Sequence, residues 1–244
     1  VLFNSSVVNG GISPSYVWKV NGISTGATSA SYSYIPGNND VVSCNVTSGL
    51  SCVSGNPAPS NQITMTVNPI MTMSATISAS ANNVCAGTSV TYTLTTLNAG
   101  SSPVIQWKVN GMPVGISAYS YTYAPVNGDQ VTCTVTSTAS CLSANVVNTN
   151  TITTTVNPVV GVSVTVTPSA NPVCQGTNVT FTANFQNGGS APAFLWKVNG
   201  LVVGLNLPSY TYAPANNDQI TCTLTSNAQC PSSVQVTSAP VVMS

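Results

Sequence analysis

The chain of 244 residues carries three Lys, three Asp and no Arg, Glu or His, so its formal net charge is zero and only 2% of its residues are charged, against about a quarter in an ordinary soluble domain. This composition leaves no basic footprint for nucleic acid or anionic lipid. It also lacks the side chains on which most general acid-base catalysis, bidentate phosphate binding and imidazole metal ligation rest, so no catalytic residue, cofactor or metal is expected.

The hydrophobic fraction of 43% and mean hydropathy of +0.27 suffice for packed cores, and no apolar run approaches the roughly 18 residues of a membrane span. Read from Val1, one pattern keeps returning. Trp18, Trp107 and Trp196 each open the string Trp-Lys-Val-Asn-Gly, at an interval of 89 residues. Cys44, Cys133 and Cys222 keep that interval, as do Cys52, Cys141 and Cys230, and Cys85 with Cys174. The six charges obey it as well: Lys19, Lys108 and Lys197 are one position, and Asp40, Asp129 and Asp218 are another. A fixed period of this kind marks an array. Three repeats are read: 1–66, which lacks its first strand, 67–155 and 156–244. Val1 aligns with Val90 and Val179, so the chain is expected to be a window on a longer array, and a start in mid-pattern gives no information about an export signal.

In the middle repeat, Val90-Thr-Tyr-Thr-Leu alternates apolar and polar residues with the period of a half-buried strand. The same alternation follows at Val104 to Val109, Tyr119 to Tyr123, Val131 to Val135 and Thr151 to Val156. Turn signals separate these segments at Ala99-Gly-Ser-Ser-Pro, Asn110-Gly and Ala124-Pro-Val-Asn-Gly-Asp. No window has helical periodicity. The expected fold is all-β: tandem immunoglobulin-like antiparallel sandwiches of about seven strands each. Strung head to tail through the short Val67-Asn-Pro and Val156-Asn-Pro joints, they would form a linear rod. Alternation turns Trp18, Trp107 and Trp196 inward with Tyr92 and Phe181, facing Val131, Cys133 and Val135 or Ile220, Cys222 and Leu224. A carbohydrate-stacking role for the tryptophans is the alternative.

Asn-Pro-Val-Cys-Gln-Gly-Thr-Asn-Val-Thr-Phe-Thr-Ala (171 to 183), Trp-Lys-Val-Asn-Gly (196 to 200), Tyr-Thr-Tyr-Ala-Pro-Ala-Asn-Asn-Asp-Gln-Ile-Thr-Cys (210 to 222) and Thr-Ser-Asn-Ala-Gln-Cys (225 to 230) resemble the tandem Ig-like or PKD-like repeats of giant surface proteins in Bacteroidota. The resemblance implies adhesins or gliding-motility-associated proteins exported by the type IX secretion system. It brings no catalytic residues, and the sorting domain of that family is absent from these residues.

Eight cysteines in an exported β-protein argue for disulfides. A complete repeat holds three, an odd number. Cys133 is expected inward on the sixth strand, with Cys85 at the turn into the facing second strand, which favours Cys85 to Cys133 and Cys174 to Cys222 within repeats. The rival is a bond between repeats, Cys85 to Cys230, leaving Cys133 as a small buried hydrophobe. Cys133 to Cys141 would fold a continuing strand back on itself. No CxxC pair or His supports a metal.

Lys108 and Asp129 are read as a surface ion pair or an Asx-type turn cap, with a Lys-Asn isopeptide crosslink as the sharper alternative. Thr at alternate positions, as in Thr91-Tyr-Thr and Thr132-Cys-Thr, reads as the outward face of strands rather than a water-ordering ladder. Asn45-Val-Thr and Asn178-Val-Thr match glycosylation sequons.

The function expected is a non-catalytic extracellular stalk of a cell-surface adhesin, or a filament subunit. Its partners would be adjacent repeats of the same chain and, by lateral association, other chains. Two alternatives are recognition of a surface glycan through loops such as Gly111 to Ala118 and Cys141 to Asn148, and a donor-strand fibre in which the first repeat takes a strand from elsewhere.

Overall fold

The computed structural model describes all residues 1–244; it consists of strands and turns and contains no helix. The chain divides into two compact units, Val1–Thr72 with Ser140–Ser143, and Met73–Ala139 with Ala144–Ser244.

The larger unit holds two sandwiches of one design. In the second repeat's sandwich, Ser120–Tyr123, Val90–Leu97 and Ser74–Ala79 form a three-stranded sheet. The facing sheet runs Met112–Val114, Val104–Val109, Gln130–Thr136 and Val146–Asn148, and Ile152–Thr153 also pairs with Gln130–Thr136. In the third repeat's sandwich, Ser163–Pro168, Val179–Gln186 and Ser209–Tyr212 face Leu201–Val203, Ala193–Val198, Gln219–Thr225 and Gln235–Thr237. All these ladders are antiparallel.

The sequence pattern explains the layers. Along Gln130–Thr136, Val131, Cys133 and Val135 are fully buried while the Thr between them face outward. Trp107 pairs with Cys133 and Trp196 with Cys222, each at the centre of its sheet. Both tryptophans are 0% exposed, as are Tyr92 and Phe181. Each indole N–H donates to a backbone carbonyl, Trp107 to Ala118 at 2.8 Å and Trp196 to Leu207 at 2.9 Å. A buried ring whose only polar atom is satisfied presents no face for a sugar to stack on. The outward Thr are paired with one another across strands, Thr91 with Thr122 and Thr180 with Thr211, each at 2.8 Å.

Asn110 and Gly111 both adopt left-handed backbone, φ 51° and 80°. That is the demand of a two-residue type I′ hairpin, whose twist matches the strands it joins, and it turns the Trp strand back into Met112–Val114. Asn21-Gly22 and Asn199-Gly200 repeat the geometry. Val156–Asn157 pairs in parallel with Val84–Cys85, so the hydrogen bonding of the second sandwich runs past residue 155 and into the joint.

In the smaller unit, Leu2–Asn4 pairs with Ser31–Ser33 as a two-stranded sheet opposite Ile23–Ser24, Ser15–Val20, Val41–Thr47 and Ala58–Pro59. Its core joins Phe3, Trp18, Val42, Cys44 and Val46, with Tyr32 and Tyr34 packed against it. A groove of about 410 Å³ opens beside this core, lined by Leu2, Phe3, Trp18, Cys44, Asn61 and Ile63 among others.

Candidate functional site

With no catalytic constellation expected, the features that distinguish this chain are its cysteines and the joint that two of them cross. Cys85 and Cys230 form a disulfide with S–S 1.99 Å and Cα–Cα 5.4 Å, linking the end of the second sandwich to a loop of the third across 145 residues of sequence. The pair Cys85 to Cys133 favoured on sequence grounds is not formed, nor is Cys174 to Cys222: Cys133 and Cys222 are buried free thiols, and Cys174 is exposed and free. The reason lies in strand direction. Cys133 stands opposite Trp107 in mid-sheet and points into the core, whereas Cys85 sits in the two-residue strand at the sandwich's end. Burial pushes the Cys133 and Cys222 thiols up to about 11, against the partial relief of a hydrogen bond from the Gln106 or Leu195 backbone. They are inert packing groups.

Around the disulfide, the connector from Val156 to Val162 is tied on both sides. Toward the second sandwich, the Val84 N–H donates to the Thr155 carbonyl at 3.0 Å, the Ala86 N–H to Asn157 at 2.9 Å, and the Asn82 side chain bridges Thr153 and Thr155. Toward the third, the Val160 N–H donates to the Cys230 carbonyl at 2.9 Å and the Ser232 N–H returns to Val160 at 2.8 Å. The Asn187 amide donates to the Gly161 carbonyl at 2.7 Å. Asn83 Oδ1 accepts from Asn157 at 2.6 Å and from Gln229 of the third repeat at 3.3 Å. Connector, side-chain amides and disulfide therefore close the joint along several independent paths. The asparagines of this joint were not foreseen from sequence, because Asn in a turn-rich chain reads first as a turn former.

The three Asp residues do not pair with the Lys residues. Asp129 is 5% exposed. Its Oδ2 accepts from the Tyr123 hydroxyl at 3.1 Å and the Val126 N–H at 3.0 Å, and its Oδ1 accepts from Asn110 at 2.8 Å. Asn110 Oδ1 in turn accepts the Gln130 N–H. Asp40 and Asp218 repeat this net with Tyr34, Gly37 and Asn21, and with Tyr212, Ala215 and Asn199. Of the two readings weighed for Asp129, the turn-capping geometry is the one present. Burial alone would raise the Asp129 pKa, but its hydrogen bonds outweigh burial and hold it below the ordinary value. The Tyr123 hydroxyl is pushed up by burial and then by its bond to Asp129. A carboxylate engaged by three neutral donors is not the Lys-flanked acid that an isopeptide bond needs.

The loop Gly111 to Ala118 exposes Met112 and Ile116, at 68% and 81%, and the adjacent Tyr119 is also exposed. Of the sequons, Asn178 is exposed and Asn45 lies within the strand Val41–Thr47.

No protein-family description matches the chain. A curated protein, the highly immunogenic outer capsid protein of Enterobacteria phage T4, is 29% identical over 187 residues, 72% of this chain. The chain spans 49% of that relative's length. Among solved structures, similarity is found to the N-terminal eight Ig domains of Down Syndrome Cell Adhesion Molecule isoform 1.30.30, at 12% identity over 100% of this chain and 41% of that one, with a TM-score of 0.43. The fibronectin(III)-like modules of Clostridium thermocellum CbhA are similar at 15% identity over 68% of this chain and 91% of theirs, with a TM-score of 0.31.

Proposed function

We propose that this chain is a non-catalytic structural array, the stalk of an extracellular surface protein or a subunit of a surface filament, whose work is to hold distance under tension. The observation that carries this reading is the disulfide-tied joint between two sandwiches of one design, set in a chain whose period of 89 residues is kept without insertion or deletion. A repeat that completes its own core needs only a firm joint to act as a spacer. The disulfide fits an oxidising compartment, and similarity to an outer capsid protein fits an outward-facing structural role. Electron microscopy of the native material tests the proposal: extended strands with regular beads support it, and compact particles would overturn it.

A further inference from the structure

We propose that Cys174 is a second covalent staple, bonding the cysteine-bearing loop of another repeat of this sandwich type as Cys85 bonds Cys230. The bonded pair is the template. Cys174 lies one period beyond Cys85, while Cys141 and Cys52 lie one and two periods before Cys230. All three are exposed free thiols, and the remaining free cysteines, Cys44, Cys133 and Cys222, are buried. One rule thus accounts for every exposed thiol: each occupies a position that is bonded in the template and lacks its register partner among residues 1–244.

Both halves of the staple already hold the bonded shape. At Cys85 the Thr88 N–H donates to the Cys85 carbonyl at 3.0 Å beside Gly87 at φ 85°; at Cys174 the Thr177 N–H donates to the Cys174 carbonyl at 3.1 Å beside Gly176 at φ 82°. On the loop side, Cys230 and the unbonded Cys141 both sit at φ 58°, a conformation unusual for a residue with a side chain. Cys230 accepts the Val160 N–H at 2.9 Å, and Cys141 accepts the Met71 N–H at 2.8 Å. The disulfide therefore does not impose these conformations, and a second one between Cys174 and a loop shaped like that of Cys141 needs no backbone rearrangement of either half.

The consequence is mechanical. Cys174 lies inside the segment closed by Cys85 and Cys230, so a staple from Cys174 to a later loop would overlap the first, and successive staples would leave no repeat free to unravel alone. The reaction needs an oxidant, supplied by a small-molecule disulfide such as oxidised glutathione. The Cys174 thiolate attacks that disulfide, forming a mixed disulfide and releasing one glutathione. The loop thiolate then attacks the Cys174 sulfur and releases the second, so two protein thiols become one disulfide while one oxidised glutathione becomes two reduced.

The proposal rests on the array reading. In the 244-residue chain the partner loop must come from a second copy, so the test is to incubate the protein with oxidised glutathione over a range of concentrations and map its peptides without reduction. The expected result is heterotypic coupling, Cys174 to Cys52 or to Cys141, with a yield that rises with concentration and falls to background in Cys174→Ser. Cys174 to Cys174 links, a statistical mixture of all thiol pairs, or Cys174 recovered only as its glutathione adduct would overturn it. Any of these three failures, with Cys85 to Cys230 intact in the same map, would leave the array reading standing.

Discussion

The first and second repeats have the same tryptophan, the same Asn-Gly hairpin and the same aspartate net, and within residues 1–244 they differ in what lies along their cores. In the second, Ser74–Ala79 lies along Val90–Leu97 and seals the sandwich, and Trp107 is 0% exposed. In the first, Leu2–Asn4 has a single neighbour, a groove runs along the core, and Trp18 keeps 4% exposure. Even so, Trp18 still donates to a backbone carbonyl, Ser29 at 2.9 Å, Tyr32 stacks on its ring and Phe3 lies tilted against it. The sheet built on the Trp and Cys strands thus organises each repeat, and the edge strand adds closure.

The largest expected effect comes from removing that organiser. Trp107→Ala should cost about 3 to 5 kcal/mol, and Trp18→Ala clearly less because its site is already open; urea unfolding followed by circular dichroism measures both. Equal losses would mean that the two cores are equally closed. Next, Cys85→Ser should remove about 2 to 4 kcal/mol. Calorimetry should show the second and third repeats melting in one transition when the disulfide is intact and in two when it is absent.

Asp129→Asn should cost about 1 to 3 kcal/mol by leaving the buried Tyr123 and Val126 donors without their charged acceptor. Asp40→Asn, in the more exposed copy of the net, should lose less.

The smallest effect is that of pH. Asp40, Asp129 and Asp218 all have lowered pKa values in the fold. The stability they contribute is present above about pH 4, where an unfolded Asp is ionised, and is lost as pH falls through the folded values. Tyr123, Tyr212, Cys133 and Cys222 are raised. Their contribution is complete below about pH 8.5 and fades as pH climbs toward the folded values. With no His in the chain, the melting temperature should stay flat between these limits. A step near pH 6.5 would contradict this assignment.

Most of the fold was legible because it is written locally. Alternation fixes the inward set Val131, Cys133 and Val135, Asn-Gly fixes the hairpin, and the period multiplies each signal by three. The disulfide was less so. Cys85 sits where a short strand meets a turn, and whether it faces its own core or the next repeat depends on the path of Val156 to Val162, which the asparagines of the joint set through long-range hydrogen bonds. The edge strand Ser74–Ala79 was likewise hard to see, since its small residues, Ala75 and Ala79 among Ser and Thr, give a weak apolar alternation.

Stretching single molecules by their ends tests the central claim most directly. If Cys85 and Cys230 carry the tension between sandwiches, the 145 residues separating them cannot extend until a reductant is added, and at about 3.3 to 3.6 Å per residue reduction should release roughly 500 Å of additional contour length. The same total extension with and without reductant would mean that force never passes through the joint, and the proposed role would fall with it.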